Sequence, residues 1–251
     1  MYQVSRKPQV IAHRGFSGAY PENTRCALLG AIALGVGMVE VDVRLSRDRV
    51  PVIYHSATLT PITACPRRLD ELTVCELKEL DVGCWRGEEF RGERILTLAE
   101  ALDLVQNRVP INLDLKVPEA IAPVIATVQA RRMVDEVVLS GCTWIQARTA
   151  RRLEPQLHVL MNVDGHLRTL LRLCSARLAL LISWLQARHA RVAGLNIGHH
   201  MAADRFIRNA SKRNLPIWTW TVDDPSRALE LVKLGAISVT SNWPDRILAV
   251  L

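Results

Sequence analysis

The amino-acid sequence predicts an α/β fold of the TIM (β/α)8 barrel type. Eight short apolar runs typical of strands recur along the 251 residues, and longer runs with the apolar spacing of helices separate them. Helix start and stop residues punctuate the alternation: Asp224 and Pro225 begin one helical run, and Gly235 ends it. Eight strands that alternate with helices are typical of this barrel, although a doubly wound open sheet has the same alternation and stays the alternative.

The predicted strands are short runs rich in aliphatic and β-branched residues. In chain order they cover residues 9–15, 38–43, 111–116, 136–141, 158–163, 193–198, 216–220 and 236–241. Amphipathic stretches between them predict helices at 22–35, 96–105, 144–154, 201–214 and 224–235. No linker rich in proline, glycine or serine divides the chain, so we predict a single domain over residues 1–251.

The second strand is predicted to turn back on itself. In MVEVDVRLSRDRVPVIYHS, residues 38–56, two apolar arms flank a turn near SRDR, which predicts a β-hairpin. Pairing outward from that turn gives three opposed pairs: Leu45 with Val50, Val43 with Val52, and Glu40 with His55. Residues 57–96 then lack a regular pattern, so we predict an irregular excursion after this strand, on one face of the barrel.

Composition argues against two classes of partner. The net charge is +7, but aromatic residues make up only 5% of the chain and do not interleave with the basic runs, so we expect no nucleic-acid partner. No apolar run approaches the roughly 18–20 residues that span a bilayer, so we expect no stable membrane anchor. The amino terminus enters a strand without a secretory signal, which predicts a cytoplasmic location. The six cysteines, none in a CxxC pair, are then expected to be reduced and mostly buried.

Acidic side chains occur on strands that are otherwise apolar, where unpaired carboxylates are rare. Glu40 and Asp42 point the same way, because residues two apart share one face of a strand. Asp114 and Lys116 share a face of the later strand NLDLK. Like charges so close repel each other, and a divalent cation removes the repulsion. Because hard oxygen ligands favour Mg²⁺ or Ca²⁺, the pattern indicates a site for one of these ions.

Imidazole and basic groups occur at other strand ends. His13 and Arg14 end the first strand in IAHRG, and His55 ends the hairpin. Barrel active sites lie at the carboxyl ends of the strands. Carboxylates for a hard cation, basic groups for an anion and imidazoles for proton transfer together fit phosphoryl chemistry. Each residue alone also has a structural explanation, such as a satisfied histidine, a solvated edge strand or a buried salt bridge.

Five segments, in order along the chain, resemble glycerophosphodiester phosphodiesterases. They are AHRGFSGAYPENT at 12–24, VEVDVRLSRDRVPVIYHS at 39–56, NLDLK at 112–116, WTWTVDD at 218–224 and VTSNWPD at 239–245. HRG followed by PENT is a specific signature, and the set spans nearly the whole chain. The family fold is a TIM barrel whose ExD strand leaves through a hairpin. The resemblance implies hydrolysis of glycerophosphodiesters to sn-glycerol 3-phosphate and an alcohol.

The resemblance also implies a metal centre and an acid–base pair. Glu40, Asp42 and Asp114 would hold one divalent cation, Mg²⁺ or Ca²⁺. His13 and His55 would be the catalytic pair, with His55 as the base and His13 as the acid. The nucleophile is left open between water and the neighbouring glycerol hydroxyl.

The remaining implied roles concern the substrate. Arg14 and Lys116 would bind the phosphate, and Trp220 would line the glycerol end of the pocket. Glu22 and Asn23, in PENT, would organise the loop, and a helix cap explains them equally well. The expected partner is a small-molecule glycerophosphodiester, and both a monomer and a homodimer are compatible with the sequence.

Three positions depart from the family pattern. Ser56 stands where the family usually has Asp after the histidine, and Asp114 stands where it usually has the longer Glu. Asp223 stands where it usually has Asn, and it is expected to add a negative charge near the pocket rim. Two alternatives therefore stay open: a lysophospholipase D-like phosphodiesterase, and a barrel that binds phosphodiesters without catalysis.

Overall fold

The computed structural model describes residues 9–60, 62–163, 165, 169, 176–200 and 204–251. Within that part of the chain, eight parallel strands form a ring: Gln9–Ala12 (β1), Met38–Leu45 (β2), Ile111–Leu115 (β4), Val137–Cys142 (β5), His158–Asn162 (β6), Gly194–Gly198 (β7), Ile217–Trp220 (β8) and Ser238–Ser241 (β9). A further strand, Pro51–Ile53 (β3), pairs antiparallel with β2. Because β1 pairs with both β9 and β2, the ring is closed. The closure confirms the TIM barrel and excludes the open sheet.

Helices connect the strands of the ring. In the described residues they are Arg25–Ala33 (α1), Val74–Lys78 (α2), Leu98–Val105 (α3), Ile121–Ala130 (α4), Trp144–Leu153 (α5), Ala176–Ala190 (α6), Asp204–Ser211 (α7), Pro225–Leu234 (α8) and Pro244–Leu248 (α9). Every predicted helix is present, and residues 201–203 of one prediction lie outside the described residues. The Asp224 side chain caps α8, and Gly235 ends it with a φ of 108°. None of these helices has both the length and the apolar character to cross a membrane.

The alternation of side chains along each strand divides the barrel interior into layers. One buried apolar cluster consists of Ile11, Met38, Val138, Leu160 and Trp218. Two residues further along the same strands, on the same face, are His13, Glu40, Ser140, Asn162 and Trp220. The polar side chains at the carboxyl end of the barrel therefore stand on an apolar floor.

The hairpin of β2 and β3 is present, but its predicted register is wrong by one residue. The observed pairs are Val43 with Ile53, Arg44 with Val52, and Leu45 with Pro51. The Ser46 backbone N–H donates to the Val50 carbonyl, and Arg49 has a φ of 63°. Three-residue loops that end in a residue with left-handed backbone are common in β-hairpins. The predicted register assumed a longer turn, so the observed strand pairing is displaced by one residue. His55 therefore does not oppose Glu40 across the ladder and instead follows β3 as irregular chain.

The excursion at residues 57–96 contains more order than its sequence indicates. It includes α2 and two 3₁₀ turns, at Leu69–Glu71 and Glu88–Phe90. Together with β3 and the residue after it, the excursion forms a small core of its own, made of Val52, Tyr54, Leu59, Leu69, Leu72, Leu77, Val82 and Ile95. This core fixes the segment against the hairpin that carries His55.

One carboxylate organises the loop that follows α2. The backbone N–H groups of Gly83, Cys84 and Gly92 donate to Asp81 at 2.9, 2.8 and 2.6 Å. Slight burial acts to raise the pKa of Asp81, but these hydrogen bonds outweigh it and hold the pKa well below its usual value. The loop is therefore closed around an ionised side chain.

The cysteines are less buried than predicted. Cys142 is buried, whereas Cys26 and Cys65 are half-buried and Cys75 and Cys84 are exposed. Three of these five lie in the excursion, whose core is too small to cover them. All five are free thiols, and Cys174 lies outside the described residues.

Candidate active site

The carboxyl ends of the barrel strands enclose a cavity of about 180 Å³. It is lined by His13, Arg14, Glu40, His55, Asn112, Asp114, Lys116, Ser140, Asn196, Trp220, Thr221 and Thr240. Seven of the eight residues predicted for the site are in this set. The eighth, Asp42, is fully buried and forms ion pairs with the lining residues Arg14 and Lys116. The structure therefore brings all eight predicted residues together.

Three carboxylates from neighbouring strands form a cluster in this site. Glu40 and Asp42 lie on β2, and the sheet register places Asp42 directly beside Asp114 on β4. One oxygen from each carboxylate lies within 4.8 Å of the others. Glu40 and Asp42 are only 4% and 0% exposed. A compact set of hard oxygen donors of this kind suits a divalent cation.

Two permanent cations are interleaved with the carboxylates. Arg14 Nε lies 3.1 Å from Asp42 Oδ2, and Arg14 Nη1 donates to Glu22 Oε2 at 2.8 Å. Lys116 Nζ lies 2.7 Å from Asp42 Oδ1 and also contacts Asp114. Burial acts to raise the pKa of Asp42, but Lys116 and Arg14 outweigh burial and hold that pKa below its usual value. Asp42 is therefore ionised.

Glu40 is the carboxylate of the cluster whose negative charge is least balanced by neighbouring positive groups. Burial, and then repulsion from Asp42 and Asp114, raises the pKa of Glu40 well above its usual value. With Glu22 included, four carboxylates face two permanent cations in this network. When all four are ionised, two negative charges are left over, which equals the charge of one divalent cation in magnitude. The residues present therefore fit a metal site in charge as well as in donor type.

His13 is oriented by a hydrogen bond to Asn242, the first residue after β9. Its Nδ1 donates to Asn242 Oδ1 at 2.6 Å, because the Asn242 amide nitrogen already donates to Asp223 Oδ2 at 2.8 Å. Asp223 also accepts from the Asn242 backbone N–H and the Ser241 hydroxyl, both at 2.8 Å. The Asp223 carboxylate is thus engaged in this network, and its negative charge near the pocket rim stays a prediction. His13 Nε2 lies 3.9 Å from Glu40 Oε2 in the cavity wall.

His55 reaches the cavity from the chain after β3. The Arg44 Nε–H donates to the His55 carbonyl at 2.7 Å and so fixes its backbone. The Ser56 hydroxyl lies 3.4 Å from His55 Nδ1, which supplies a local contact where the family pattern has a carboxylate. Burial lowers the pKa of His55, and the charge of Asp42 opposes this effect. The ring is therefore neutral near pH 7 and can accept a proton.

The loop between β1 and α1 depends on left-handed backbone. Arg14, Gly15 and Asn23 have φ angles of 55°, 74° and 60°. A Cβ at Gly15 would lie 2.6 Å from the backbone of α1. Asn23 Nδ2 donates to Asp42 Oδ2 at 2.8 Å, and Asn23 Oδ1 accepts from the Asp42 backbone N–H at 3.1 Å. Asn23 is therefore tied to a carboxylate of the cluster, while the neighbouring Thr24 supplies the helix cap.

Two polar atoms of cavity-lining residues are buried with neither a hydrogen-bond nor an ion-pair partner among the described residues. They are Asn112 Oδ1 and Trp220 Nε1, whereas Arg14 Nε, which also lacks a hydrogen bond, has its ion pair with Asp42. An unpaired buried donor or acceptor is unfavourable unless a ligand or water completes it. A polar substrate in the cavity would supply both missing partners.

Comparison with known proteins identifies the family. The sequence matches the glycerophosphoryl diester phosphodiesterase family over residues 13–246. The chain belongs to this family. A glycerophosphodiester phosphodiesterase of Caldanaerobacter subterraneus subsp. tengcongensis is 27% identical over 248 residues, which cover 96% of this chain and 97% of that protein. The glycerophosphodiester phosphodiesterase GDPD4 of Arabidopsis thaliana is 30% identical over 245 residues, 95% of this chain and 71% of that protein.

A solved structure agrees with the family assignment. A phosphodiesterase from Oleispira antarctica, in complex with the product sn-glycerol-3-phosphate, superposes with a TM-score of 0.86. It is 31% identical and covers 98% of this chain and 97% of its own. The resemblance drawn from the sequence is thereby confirmed, and the chain is an enzyme of the hydrolase class.

Sequence reasoning missed several side chains that complete this family site. Asn242 stands in the quoted segment VTSNWPD, but no pattern within one strand connects it to His13. Ser140, whose hydroxyl donates to Asp114 Oδ1 at 2.8 Å, stands in a strand that looks apolar. Asn112 precedes Asp114 by two residues on the same face of β4, and that spacing is the one signal that could have found it.

Proposed function

We propose that this enzyme hydrolyses glycerophosphodiesters to sn-glycerol 3-phosphate and an alcohol, with one divalent cation and two histidines. The observation that carries the proposal is the meeting of two imidazoles, a carboxylate cluster and two basic side chains around one cavity of about 180 Å³. The product held by the Oleispira antarctica phosphodiesterase, sn-glycerol-3-phosphate, supports the same substrate class.

The residues that would hold the cation are Glu40, Asp42 and Asp114. Their oxygen donors suit Mg²⁺ or Ca²⁺. When bound, such an ion supplies Lewis-acid polarisation of a phosphoryl oxygen. Asn23 and Lys116 keep Asp42 oriented through the contacts described above, so the cluster is arranged by the protein itself.

Arg14 and Lys116 would bind the phosphate. Carboxylates hold both side chains at the cavity wall, where they remain charged. Burial acts to lower the pKa of Lys116, but Asp114 and Asp42 outweigh it and raise the pKa above its usual value. Negative charge develops on the phosphoryl oxygens in the transition state. Positive side chains that the protein already holds in place around that charge stabilise it more than freely moving groups in water do.

The two histidines would move the protons. His55 takes the proton of the nucleophile, which is water or the neighbouring glycerol hydroxyl. His13 gives a proton from Nε2 to the departing alkoxide, because its Nδ1 is committed to Asn242. Glu40 Oε2 lies 3.9 Å from that Nε2, and burial, followed by the charge of Arg14, lowers the pKa of His13. Proton transfer of this kind contributes roughly 10²–10⁴-fold to the rate.

The test is release of sn-glycerol 3-phosphate from glycerophosphocholine by the purified protein. We expect EDTA to abolish release and Mg²⁺ or Ca²⁺ to restore it. His13→Ala and His55→Ala should each lower kcat by roughly 10²–10⁴-fold, whereas His158→Ala, at the amino end of β6, should not change it. Equal rates with and without EDTA would contradict the metal role. Near-normal rates in either active-site variant, with circular dichroism unchanged, would contradict the acid–base assignment.

A further inference from the structure

Four arginines surround a second concave surface, the arginine groove, which has a volume of about 450 Å³. It lies between the end of β2, the hairpin turn, the excursion and the chain that follows β4. The arginines are Arg44, Arg47, Arg49 and Arg68. The arginine groove shares no lining residue with the catalytic cavity. It is therefore a basic surface separate from the candidate active site.

Two of the four arginines are already paired with carboxylates. Arg68 donates to both oxygens of Asp70, from Nε at 2.9 Å and from Nη2 at 2.8 Å. Arg47 Nη2 lies 3.2 Å from Glu76 Oε2 on helix α2, and its Nη1 donates to the Glu71 carbonyl at 3.2 Å. The charges of these two arginines are thus largely balanced by the protein itself.

The other two, Arg44 and Arg49, have no ion pair in the part of the chain that the structure describes. Arg44 Nε donates to the His55 carbonyl at 2.7 Å, which leaves both terminal amino groups of Arg44 available. Arg49 is exposed at the hairpin turn, where its φ is 63°. Over the whole lining, four arginines face two carboxylates, Asp70 and Glu119, so two positive charges are in excess.

Partial burial makes the unpaired charge of Arg44 unfavourable. Burial lowers the pKa of Arg44, and the charges of Asp42 and Asp70 oppose this effect. Asp42 does not supply the missing contacts, because its carboxylate already pairs with Arg14 and Lys116. An anion beside Arg44 would compensate its guanidinium for the water lost on burial.

The chemistry of the lining favours a phosphate group. The excess of two positive charges equals the charge of a phosphate dianion in magnitude, and guanidinium groups bind phosphate oxygens through paired N–H donors. Leu45 and Leu69 line the groove as well and are buried, and apolar surroundings strengthen such ion pairs. Among the described residues no aromatic side chain lines the groove, which argues against a stacked nucleobase.

We propose that the arginine groove binds a dianionic phosphate group, carried by inorganic phosphate or by a small phosphate monoester. The phosphate contacts Arg44 and Arg49 on the hairpin and Arg68 on the excursion, and so joins these two segments. Because Arg44 also holds the His55 carbonyl, a bound phosphate stiffens the chain that carries this histidine. The site goes beyond the proposed hydrolysis, since no bond of the bound phosphate is broken there.

The experiment measures hydrogen–deuterium exchange of the full chain, loaded with the cation, over a range of inorganic phosphate concentrations. Exchange is read segment by segment, so binding in the arginine groove is separated from binding in the catalytic cavity. We expect slower exchange in residues 44–50 and 57–70, and the concentration that gives half of this slowing is the apparent Kd. Unchanged exchange in both segments at saturating phosphate would overturn the proposal.

Substitutions of single arginines test which side chains hold the phosphate. Arg49→Gln and Arg44→Gln should each weaken the apparent Kd about 10–100-fold, which is the factor for one hydrogen bond to a charged group. Arg213→Gln removes the same charge from an exposed position after α7 and should keep the wild-type Kd. Circular dichroism checks that each variant is folded. A wild-type Kd in folded Arg49→Gln and Arg44→Gln would refute the assignment.

Two further ligands identify the source of the phosphate and the selectivity of the groove. Tighter binding of ethyl phosphate than of inorganic phosphate would indicate a monoester, and the reverse order or equal binding would indicate free phosphate. Acetate, a monoanion, should leave exchange in residues 44–50 and 57–70 unchanged at the same ionic strength. Equal slowing by acetate would overturn a phosphate site. None of these measurements needs turnover, so their outcome is independent of whether glycerophosphocholine is cleaved.

Discussion

Replacing Asn23 tests how firmly the loop after β1 holds the carboxylate cluster. Asn23→Ala removes two hydrogen bonds with Asp42, one to the buried carboxylate and one to its backbone N–H. A hydrogen bond to a charged group contributes about 1.5–3 kcal/mol, and a buried N–H left unpaired costs about 1–3 kcal/mol. Alanine at a φ of 60° adds about 1 kcal/mol of backbone strain. We expect the free energy of unfolding to fall by about 3.5–7 kcal/mol.

Asn23→Gly separates the two causes. Glycine adopts a positive φ without strain but makes neither hydrogen bond, so it should be about 1 kcal/mol more stable than the alanine variant. The remaining loss relative to the wild type then measures the contacts with Asp42. Urea unfolding of the three proteins gives both differences, provided that the slope of unfolding free energy against urea concentration is the same for all three.

The same variants bear on the metal site. Removing a side chain that orients a metal ligand typically lowers metal affinity about 10–100-fold. Calorimetric titration with Mg²⁺ or Ca²⁺ should show this loss in both Asn23→Ala and Asn23→Gly. If Asn23→Gly unfolds like the wild type and binds the ion equally well, the hydrogen bonds to Asp42 contribute nothing and the reasoning is wrong.

Two further changes test other parts of the fold. Gly141 has a φ of 73°, and a Cβ added there by Gly141→Ala would lie 2.4 Å from the Leu115 carbonyl oxygen. We therefore expect the melting temperature of this variant to be several degrees lower than that of the wild type. An unchanged melting temperature would refute the clash. Asp81→Asn weakens three charge-assisted hydrogen bonds and should lower unfolding free energy at pH 7 by about 1–3 kcal/mol. Because the folded-state pKa is lowered, the wild-type advantage is complete above the unfolded pKa near about 4 and shrinks as pH falls further. If the unfolding free energies of the wild type and Asp81→Asn, measured with urea, differed by the same amount at pH 7 and at pH 2, this account of Asp81 would be contradicted.

The sequence was sufficient to predict the barrel and to predict that the eight candidate residues would lie together. Alternating apolar runs predict strands directly, and residues two apart on one strand must share a face, which placed Glu40 beside Asp42. In a parallel barrel, side chains at the carboxyl ends of neighbouring strands converge. Knowing the strands was therefore enough to bring Asp114 and His13 to the same cavity.

What could not be predicted depends on contacts between distant segments or on single backbone angles. The hairpin register depends on Arg49 in a left-handed conformation, which arginine seldom adopts, so the sequence gives little warning of it. The partnership of His13 with Asn242 exists only once β1 lies beside β9. The small core of the excursion collects apolar residues at irregular spacing, and no periodicity reveals such a set.

The bond between His13 and Asn242 also links activity to the order of synthesis. Residue 13 is made early and residue 242 late, 229 positions further along the chain. A nascent chain can form most of the strands and still lack the amide that sets the imidazole tautomer. With His13 in its proposed role, we expect phosphodiester cleavage to begin only after the carboxyl-terminal segment has joined the first strand.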